Sequence, residues 1–165
     1  MGKEYSIQEA LKLAIQAEKD SMDFYRRACS VTKNERAKKV FDLLANEEVG
    51  HLKSFFDHYK GGEFGDLKAY MESPPNKKSA IYQALEKAID EETHEQQALE
   101  IALKEEKATI EQYTLLARDI VDPLVRAVFE KVVKETENHY ALIEDEYMHV
   151  MTMVDKSDQD IYVRE

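Results

Sequence analysis

A carboxylate and an imidazole occupy positions where a predicted helix should present apolar residues. Glu48 and His51 lie three residues apart, so both project from one helical face. The apolar residues that recur at helical spacing along that face are Ala37, Phe41, Leu44 and Phe55. A buried charge without a partner is strongly destabilising, and a metal ion is the leading candidate to compensate for it. The alternative is a buried hydrogen bond between the acid and the imidazole, without a metal.

Two further acids interrupt apolar stripes elsewhere in the chain. Glu18 lies on the stripe of a helix predicted over about residues 6–31, and Glu106 lies on that of a helix predicted over about residues 95–121. Tyr25 and Tyr113 each follow one of these acids by seven residues, which is about two helical turns. Each tyrosine is therefore placed to hydrogen-bond a ligand carboxylate, or else to serve as a core aromatic residue.

The second half of the chain repeats the first at a constant offset of 88 residues. The matched pairs are Glu18 with Glu106, Tyr25 with Tyr113, and His51 with His139. We interpret the chain as a duplicated helical hairpin, whose halves would bring these polar groups together in the middle of a four-helix bundle. One position breaks the repeat, because Thr136 corresponds to Glu48. His139 has an alternative reading as a core histidine that donates to Glu48 or Thr136.

A four-helix bundle holds two metals when two helices each provide a Glu and the other two each provide a Glu-x-x-His pair. The candidate metal ligands here are Glu18, Glu48, His51, Glu106 and His139. Mixed carboxylate and imidazole ligation favours two iron ions, with manganese or zinc as substitutes. Glu135 precedes His139 by four residues and could replace the carboxylate missing at Thr136 after a small helix rotation. Glu137 is a less supported alternative.

The rest of the sequence predicts how these helices are connected. A second helix is expected over about residues 35–59, and a fourth begins at Pro123. Residues 60–93 are expected to form a long crossover connection with a short helix over residues 82–89, which would let the third helix run parallel to the second. Ser6 with Glu9 is a capping-box signature. We expect one domain over residues 1–165, with a polar tail from about residue 155.

Composition excludes several classes of protein. Few glycines (5) and prolines (3) favour an all-helical fold, and a net charge of −11 disfavours nucleic acid and anionic membranes as partners. Cys29 is the single cysteine, which excludes an intramolecular disulfide. No apolar run approaches the roughly 18 residues that span a bilayer, and the N-terminus lacks a signal peptide's apolar region. A cytoplasmic protein is therefore expected.

The segment from Ala14 to Tyr25, followed by Glu48-x-x-His51 and repeated at constant offset, resembles the rubrerythrin branch of the ferritin-like superfamily. The resemblance implies an all-α, ferritin-like four-helix bundle with a carboxylate-bridged di-iron centre. It also implies reduction of hydrogen peroxide or oxygen with electrons from a redox partner, in a cytoplasmic homodimer. Carried over, Glu18, Glu48 and His51 would hold one iron and Glu106 with His139 the second, with Glu48 as the bridge. The residues expected to take part in catalysis are Glu48, Tyr25 and Tyr113.

Three features depart from that family pattern. The second bridging carboxylate is replaced by Thr136, and the additional Glu of peroxidase-type members falls on Thr109. The cysteine-rich rubredoxin domain is missing from these residues, so electrons would come from a separate protein such as a rubredoxin. A protein that binds, stores or transfers metal without turnover is therefore an alternative, and a metal-free helical interaction module is a third. Two other Glu-x-x-His strings, interpreted as solvated surface, are Glu91 to His94 and Glu146 to His149.

Overall fold

The fold consists of two long helical hairpins, each made of two antiparallel helices. A computed structural model describes the backbone of residues 2–163 and the side chains of residues 7–153, and all regular secondary structure within this part is helical. The helices are α1 Gly2–Val31, α2 Glu35–Phe56, α3 Leu67–Glu72, α4 Ala80–Ala88, α5 His94–Asp119 and α6 Pro123–Val163. α1 packs along α2, and α5 packs along α6. The predicted all-α four-helix bundle is confirmed.

Two apolar clusters define the directions of the four long helices. One cluster joins Leu11 of α1, Phe55 of α2, Ala117 of α5 and Phe129 of α6. The other joins Ala28, Phe41, Leu99 and Ile143 from the opposite ends of the same helices. The end of α2 and the end of α5 therefore share one end of the bundle. The two helices run in the same direction, as the long crossover predicts.

The repeat extends to the turn inside each hairpin. Asn34 caps α2 by accepting a hydrogen bond at Oδ1 from the Ala37 backbone N–H (3.0 Å). Asp122, 88 residues later, caps α6 by accepting at Oδ1 from the Val125 N–H (3.2 Å). Pro123 is the first residue of α6, where its missing N–H leaves no hydrogen bond unmade. Both hairpins are thus closed by an equivalent polar cap.

Two helix ends differ from the prediction. α1 begins at Gly2, so Ser6 lies inside the helix and does not cap it, because a capping residue has a non-helical backbone. The side chain of Ser6 lies outside the described part of the chain. α2 ends at Phe56, three residues early, and the chain tightens beyond it, because the His58 N–H donates to the Phe55 carbonyl (3.2 Å) and the Tyr59 N–H to the Phe56 carbonyl (3.1 Å). At the other end, the backbone of residues 155–163 continues α6.

The crossover contains α4 as predicted and, in addition, α3, which the sequence did not predict. α4 packs against α5 and α1. The connection is tied to the bundle by Lys19, a buried residue of α1 whose Nζ donates to Asp23 and to the Ser73 carbonyl oxygen (3.1 Å). The hydrogen bond to Ser73 holds the crossover against α1, and Asp23, on the same helix as Lys19, balances the buried ammonium charge. No helix within residues 2–163 combines the length and apolar character that crossing a bilayer requires.

Candidate metal centre

A layer of buried polar side chains separates the two apolar clusters. Its members are Glu18, Glu48, His51, Glu106, Thr136 and His139, each no more than 6% exposed. On α2, α5 and α6 these residues lie between a residue of one cluster and a residue of the other. Apolar packing above and below removes them from water, so their polar atoms require partners inside the bundle.

Glu18, Glu48 and His51 form a first group of possible ligands. One ligand atom of each lies within 4.8 Å of the others. The Nδ1 atom of His51 is 3.4 Å from Glu48 Oε2 and 3.7 Å from Glu18 Oε2. The three residues come from α1 and α2, and their side chains meet because each follows the apolar stripe of its helix. This group lies within the first hairpin.

Glu48, Glu106 and His139 form a second group with the same 4.8 Å spacing. The Nδ1 atom of His139 is 3.8 Å from Glu48 Oε1. Glu48 therefore directs one oxygen toward His51 and the other toward His139. This places the Glu48 carboxylate between the two groups, where it could bridge two ions.

The unsatisfied atoms of this layer test whether metal ions fit it. Four of its buried atoms have no hydrogen-bond partner among the described side chains: Glu18 Oε1, Glu48 Oε2, His51 Nδ1 and His139 Nδ1. Each unsatisfied buried polar atom destabilises a fold by about 1–3 kcal/mol. All four are oxygen or imidazole nitrogen atoms, which are the donors that iron, manganese and zinc prefer. The residues present fit a pair of such ions.

Without a metal, bound protons supply the positive charge that offsets the buried carboxylates. Burial and the Glu18 carboxylate raise the pKa of Glu48 well above its ordinary value, and burial raises the pKa of Glu106 to about 8. Burial would lower the pKa of His51, but the adjacent carboxylates of Glu18 and Glu48 raise it to about 12. Burial and His51 lower the pKa of His139. Metal binding would release the protons that these groups hold.

The two predicted tyrosines lie next to the layer. The Tyr25 hydroxyl donates to Glu106 Oε1 at 2.5 Å, across from the first hairpin to the second. The Tyr113 hydroxyl donates to the Ala14 carbonyl at 3.4 Å, one helical turn before Glu18. Burial raises the pKa of both hydroxyls well above 10, so both remain protonated donors. Tyr25 therefore orients a candidate ligand directly, as the sequence predicts.

This set of buried acids and histidines can be compared with known proteins. A family model described as Rubrerythrin matches residues 9–147. The chain belongs to the rubrerythrin family. Comparisons with curated proteins and with solved structures found no match. The matched range includes every residue of the polar layer, and it confirms the resemblance and the ferritin-like fold that the sequence predicts.

The position that breaks the repeat has no carboxylate of its own in this rubrerythrin-family chain. Thr136 donates its hydroxyl to the Val132 carbonyl (2.7 Å). Glu135, predicted as a replacement ligand, instead has its Oε2 atom 2.8 Å from His51 Nε2, on the ring edge opposite Nδ1. Glu137 is exposed. Ligation of an inner metal by Glu135 remains a prediction.

Sequence reasoning missed two acids of this family member. The repeat identifies Glu47 only as the partner of Glu135, yet its Oε2 atom lies 3.8 Å from His139 Nε2. The interpretation of Glu146 as solvated surface is wrong. It is buried, and its Oε2 atom accepts a hydrogen bond from Arg36 Nε at 2.7 Å. The available signal was its spacing, because Glu146 follows His139 by seven residues and shares its face.

Proposed function

We propose that this chain is a non-haem di-iron protein that reduces hydrogen peroxide or oxygen with electrons from an external donor. The observation that carries the proposal is the pair of ligand groups sharing Glu48, with unpartnered buried atoms in each. Structural ion pairs alone would leave fewer such atoms unsatisfied. The rubrerythrin-family match supports the same conclusion.

The proposed ligand assignment follows the two groups. Glu18, Glu48 and His51 would hold one iron, and Glu106 with His139 the other. Bound iron supplies the two electrons that breaking an oxygen–oxygen bond requires. Manganese would fit the same donors, and zinc would fit them without redox chemistry.

The chain's own residues provide proton control and exclusion of water. Reduction of hydrogen peroxide to two water molecules consumes two electrons and two protons. The Tyr25 hydroxyl fixes the orientation of Glu106 through Oε1, and because its pKa is raised well above 10 it remains a protonated donor beside the ligands. The apolar clusters on both sides keep bulk water out of the layer. Electrons would come from a separate protein such as a rubredoxin, and we expect a homodimer.

A second function is favoured by one observation. The position equivalent to the bridging Glu48 is Thr136, whose hydroxyl is committed to the carbonyl of its own helix. Thr109, half-buried one turn after Glu106, offers a hydroxyl where peroxidase-type members have a carboxylate. A centre with fewer carboxylates would bind iron and turn over poorly. Storage or transfer of metal is therefore the alternative function.

Anaerobic purification followed by metal counting and stopped-flow oxidation separates these functions. The enzyme is expected to bind about two irons per chain, to be reoxidised by peroxide or oxygen, and to cycle when a reductant is supplied. The storage protein binds iron and does not cycle. A folded chain that binds no metal under these conditions contradicts both proposals. A Glu48→Gln variant is the matched control, because it removes the shared carboxylate and keeps the side-chain shape.

A further inference from the structure

The two histidines of the centre have a second edge that faces outward. The Nε2 atom of His51 lies 2.8 Å from Glu135 Oε2, and the Nε2 atom of His139 lies 3.8 Å from Glu47 Oε2. Each imidazole thus meets a carboxylate from the opposite hairpin. Glu47 and Glu135 are themselves 88 residues apart, so the repeat relates this outer pair as it relates the inner ligands.

Three of these residues have the spacing of a metal site. One ligand atom from each of Glu47, His51 and His139 lies within 4.8 Å of the others. The two rings are stacked, with centroids 5.4 Å apart and planes 23° apart, so their edges lie side by side. His139 is 6% exposed, its Nδ1 atom has no hydrogen-bond partner, and its Nε2 atom is beyond hydrogen-bond distance of Glu47. Among the described side chains, this buried imidazole is left without a hydrogen-bond partner on either edge.

Solvent reaches the carboxylates of this outer edge and not the inner ligands. A cavity of about 330 Å³ between α2 and α6 is lined by Asn46, Glu47, Gly50, Ser54, Lys131 and Glu135. The side chains of Glu47 and Glu135 are 46% and 34% exposed, whereas the inner ligands are buried. A Cβ atom added at Gly50 would meet no described atom within 4 Å, so the cavity is open at this position. A hydrated cation could reach these two carboxylates without movement of a helix, and the Nε2 atoms of His51 and His139 lie 2.8 Å and 3.8 Å from them.

We propose that Glu47 and Glu135, with the Nε2 edges of His51 and His139, form an outer site for a divalent transition-metal ion. The site captures the ion from solvent before it enters the inner centre. Binding at the outer site stands independently, whereas the capture role rests on the proposed di-iron function. Carboxylate and imidazole donors select ions such as Fe²⁺, Mn²⁺, Co²⁺ and Zn²⁺. Lys131, whose Nζ lies 3.9 Å from Glu135 Oε1, is largely exposed and can move aside.

The chemistry of the imidazole ring requires that an ion occupy the two sites one after the other. A neutral imidazole has one nitrogen with a free lone pair and one that carries a proton. When Nε2 binds an outer ion, Nδ1–H faces the Glu48 carboxylate. When Nδ1 binds an inner ion, the proton is on Nε2 and faces Glu47 or Glu135. Transfer of one ion inward therefore moves one proton from Nδ1 to Nε2 of the histidine that binds the ion there, and each ring serves one site at a time.

The first test measures binding at the outer site directly. A Glu18→Gln, Glu106→Gln variant weakens the inner centre and keeps both histidines, and its folding is verified by circular dichroism. We expect it to bind one Co²⁺, detected by equilibrium dialysis and visible absorption, and we expect Glu47→Gln to weaken this binding more than about a hundredfold, beyond the effect of losing a residue that only orients a ligand. Glu144→Gln, an exposed acid on α6, is the matched control and should not change it. Binding that Glu47→Gln leaves unchanged, or no binding by the folded variant, overturns the outer site.

The second test measures the rate at which the native chain loads. Anaerobic stopped-flow mixing with Fe²⁺ should show loading about tenfold slower in Glu47→Gln, because a carboxylate at the opening no longer attracts the cation. The final number of irons should match that of the native chain. Loading at the native rate overturns the capture role and leaves the di-iron centre intact. An outer Co²⁺ site in a chain whose inner centre takes up no iron supports the outer site and contradicts the di-iron function.

Discussion

The two hairpins share a scaffold and differ in charge. Their caps, aromatic residues and histidines correspond at an offset of 88 residues, but Glu48 of the first hairpin corresponds to Thr136 of the second. His51 faces two carboxylates through Nδ1, and its pKa is raised to about 12. His139 faces Glu48 alone through Nδ1, and burial lowers its pKa. The two equivalent imidazoles therefore have opposite protonation preferences.

This difference separates what holds the bundle together from what makes it bind metal. Apolar packing is nearly symmetric, because each cluster draws residues from all four long helices. The ligands are unequal, since the first hairpin provides Glu18, Glu48 and His51, and the second provides only Glu106 and His139. We therefore expect equivalent substitutions of aliphatic core residues in the two hairpins to have similar effects on folding, and equivalent substitutions in or beside the polar layer to have unequal effects.

The largest expected contrast is between Glu48→Gln and Thr136→Ala, the two equivalent positions. Glu48 contributes an oxygen to each ligand group, so its loss should weaken metal binding more than about a hundredfold, beyond the usual effect of residues that only orient ligands. The Thr136 hydroxyl bonds its own helix, so its loss should change affinity by less than about threefold. Anaerobic calorimetric titration with Mn²⁺ measures both variants. Equal losses of metal affinity in the two variants would show that the centre does not depend on the difference between Glu48 and Thr136.

Restoring the missing carboxylate at position 136 should strengthen the metal centre and destabilise the metal-free chain. Thr136→Glu places a charge at a fully buried position, so the free energy of unfolding of the metal-free chain should fall by about 3 kcal/mol. Two bound irons should recover this loss, and reoxidation by peroxide should become faster. Urea unfolding with and without metal, together with stopped-flow oxidation, measures these changes. Asn138→Glu adds the same charge at an exposed position of α6 and should have neither effect.

The sequence predicted the inner centre because helical spacing and the repeat both constrain it. Glu18, Glu48 and His51 lie on apolar stripes, so burial of each stripe necessarily brings its polar member into the bundle. The contact between Glu47 and His139 could not be predicted in the same way. It depends on the rotation of α2 and α6 about their axes, and the pattern of one helix does not specify how its neighbour is rotated.

The positions of two further acids depend on the same rotation. Glu135 points about 100° around the helix from position 136, and whether it turned inward depended on that rotation. The structure places its carboxylate on the outer edge of His51. Glu146 is buried because Arg36, on a different helix, is positioned to pair with it. Whether a side chain at the border of an apolar stripe points inward or outward depends on its partners on neighbouring helices.

The tyrosines provide a smaller contrast between the hairpins. Tyr25→Phe removes a short hydrogen bond to the Glu106 carboxylate and should lower the free energy of unfolding by about 2 kcal/mol. Tyr113→Phe removes a long bond to a backbone carbonyl and should lower it by about 0.5 kcal/mol. Urea denaturation of the metal-free variants measures both. Tyr147→Phe, which loses a bond to the exposed Glu100, is the control and should have the least effect. Similar losses for Tyr25 and Tyr113 would contradict the contrast.

The last contrast between the hairpins concerns the dependence of stability on pH. The pKa of Glu106 is about 8 in the folded chain, whereas the ordinary pKa of an exposed glutamate is 4.5, so the folded state binds a proton that the unfolded state has released. The free energy of unfolding of the metal-free chain should therefore fall as pH rises from 4.5 to about 8. His51 acts in the same direction above pH 6.5, because its pKa is raised to about 12. Scanning calorimetry in the presence of a chelator, from about pH 6.5 to 8.5, should show a falling Tm.

Equivalent acids in the two hairpins distinguish the source of this slope. Glu106→Gln should make the fall in Tm shallower, because it removes a carboxyl whose pKa is raised by burial. Glu18→Gln should act through His51 instead, because the Glu18 carboxylate helps to raise the pKa of that imidazole, so the fall in Tm that continues above about pH 8 should become shallower. Bound Mn²⁺ replaces the protons and should flatten the slope of the native chain. A Tm of the metal-free chain that rises across this window, or a fall above about pH 8 that Glu18→Gln leaves unchanged, would show that the two acids do not differ as the structure indicates.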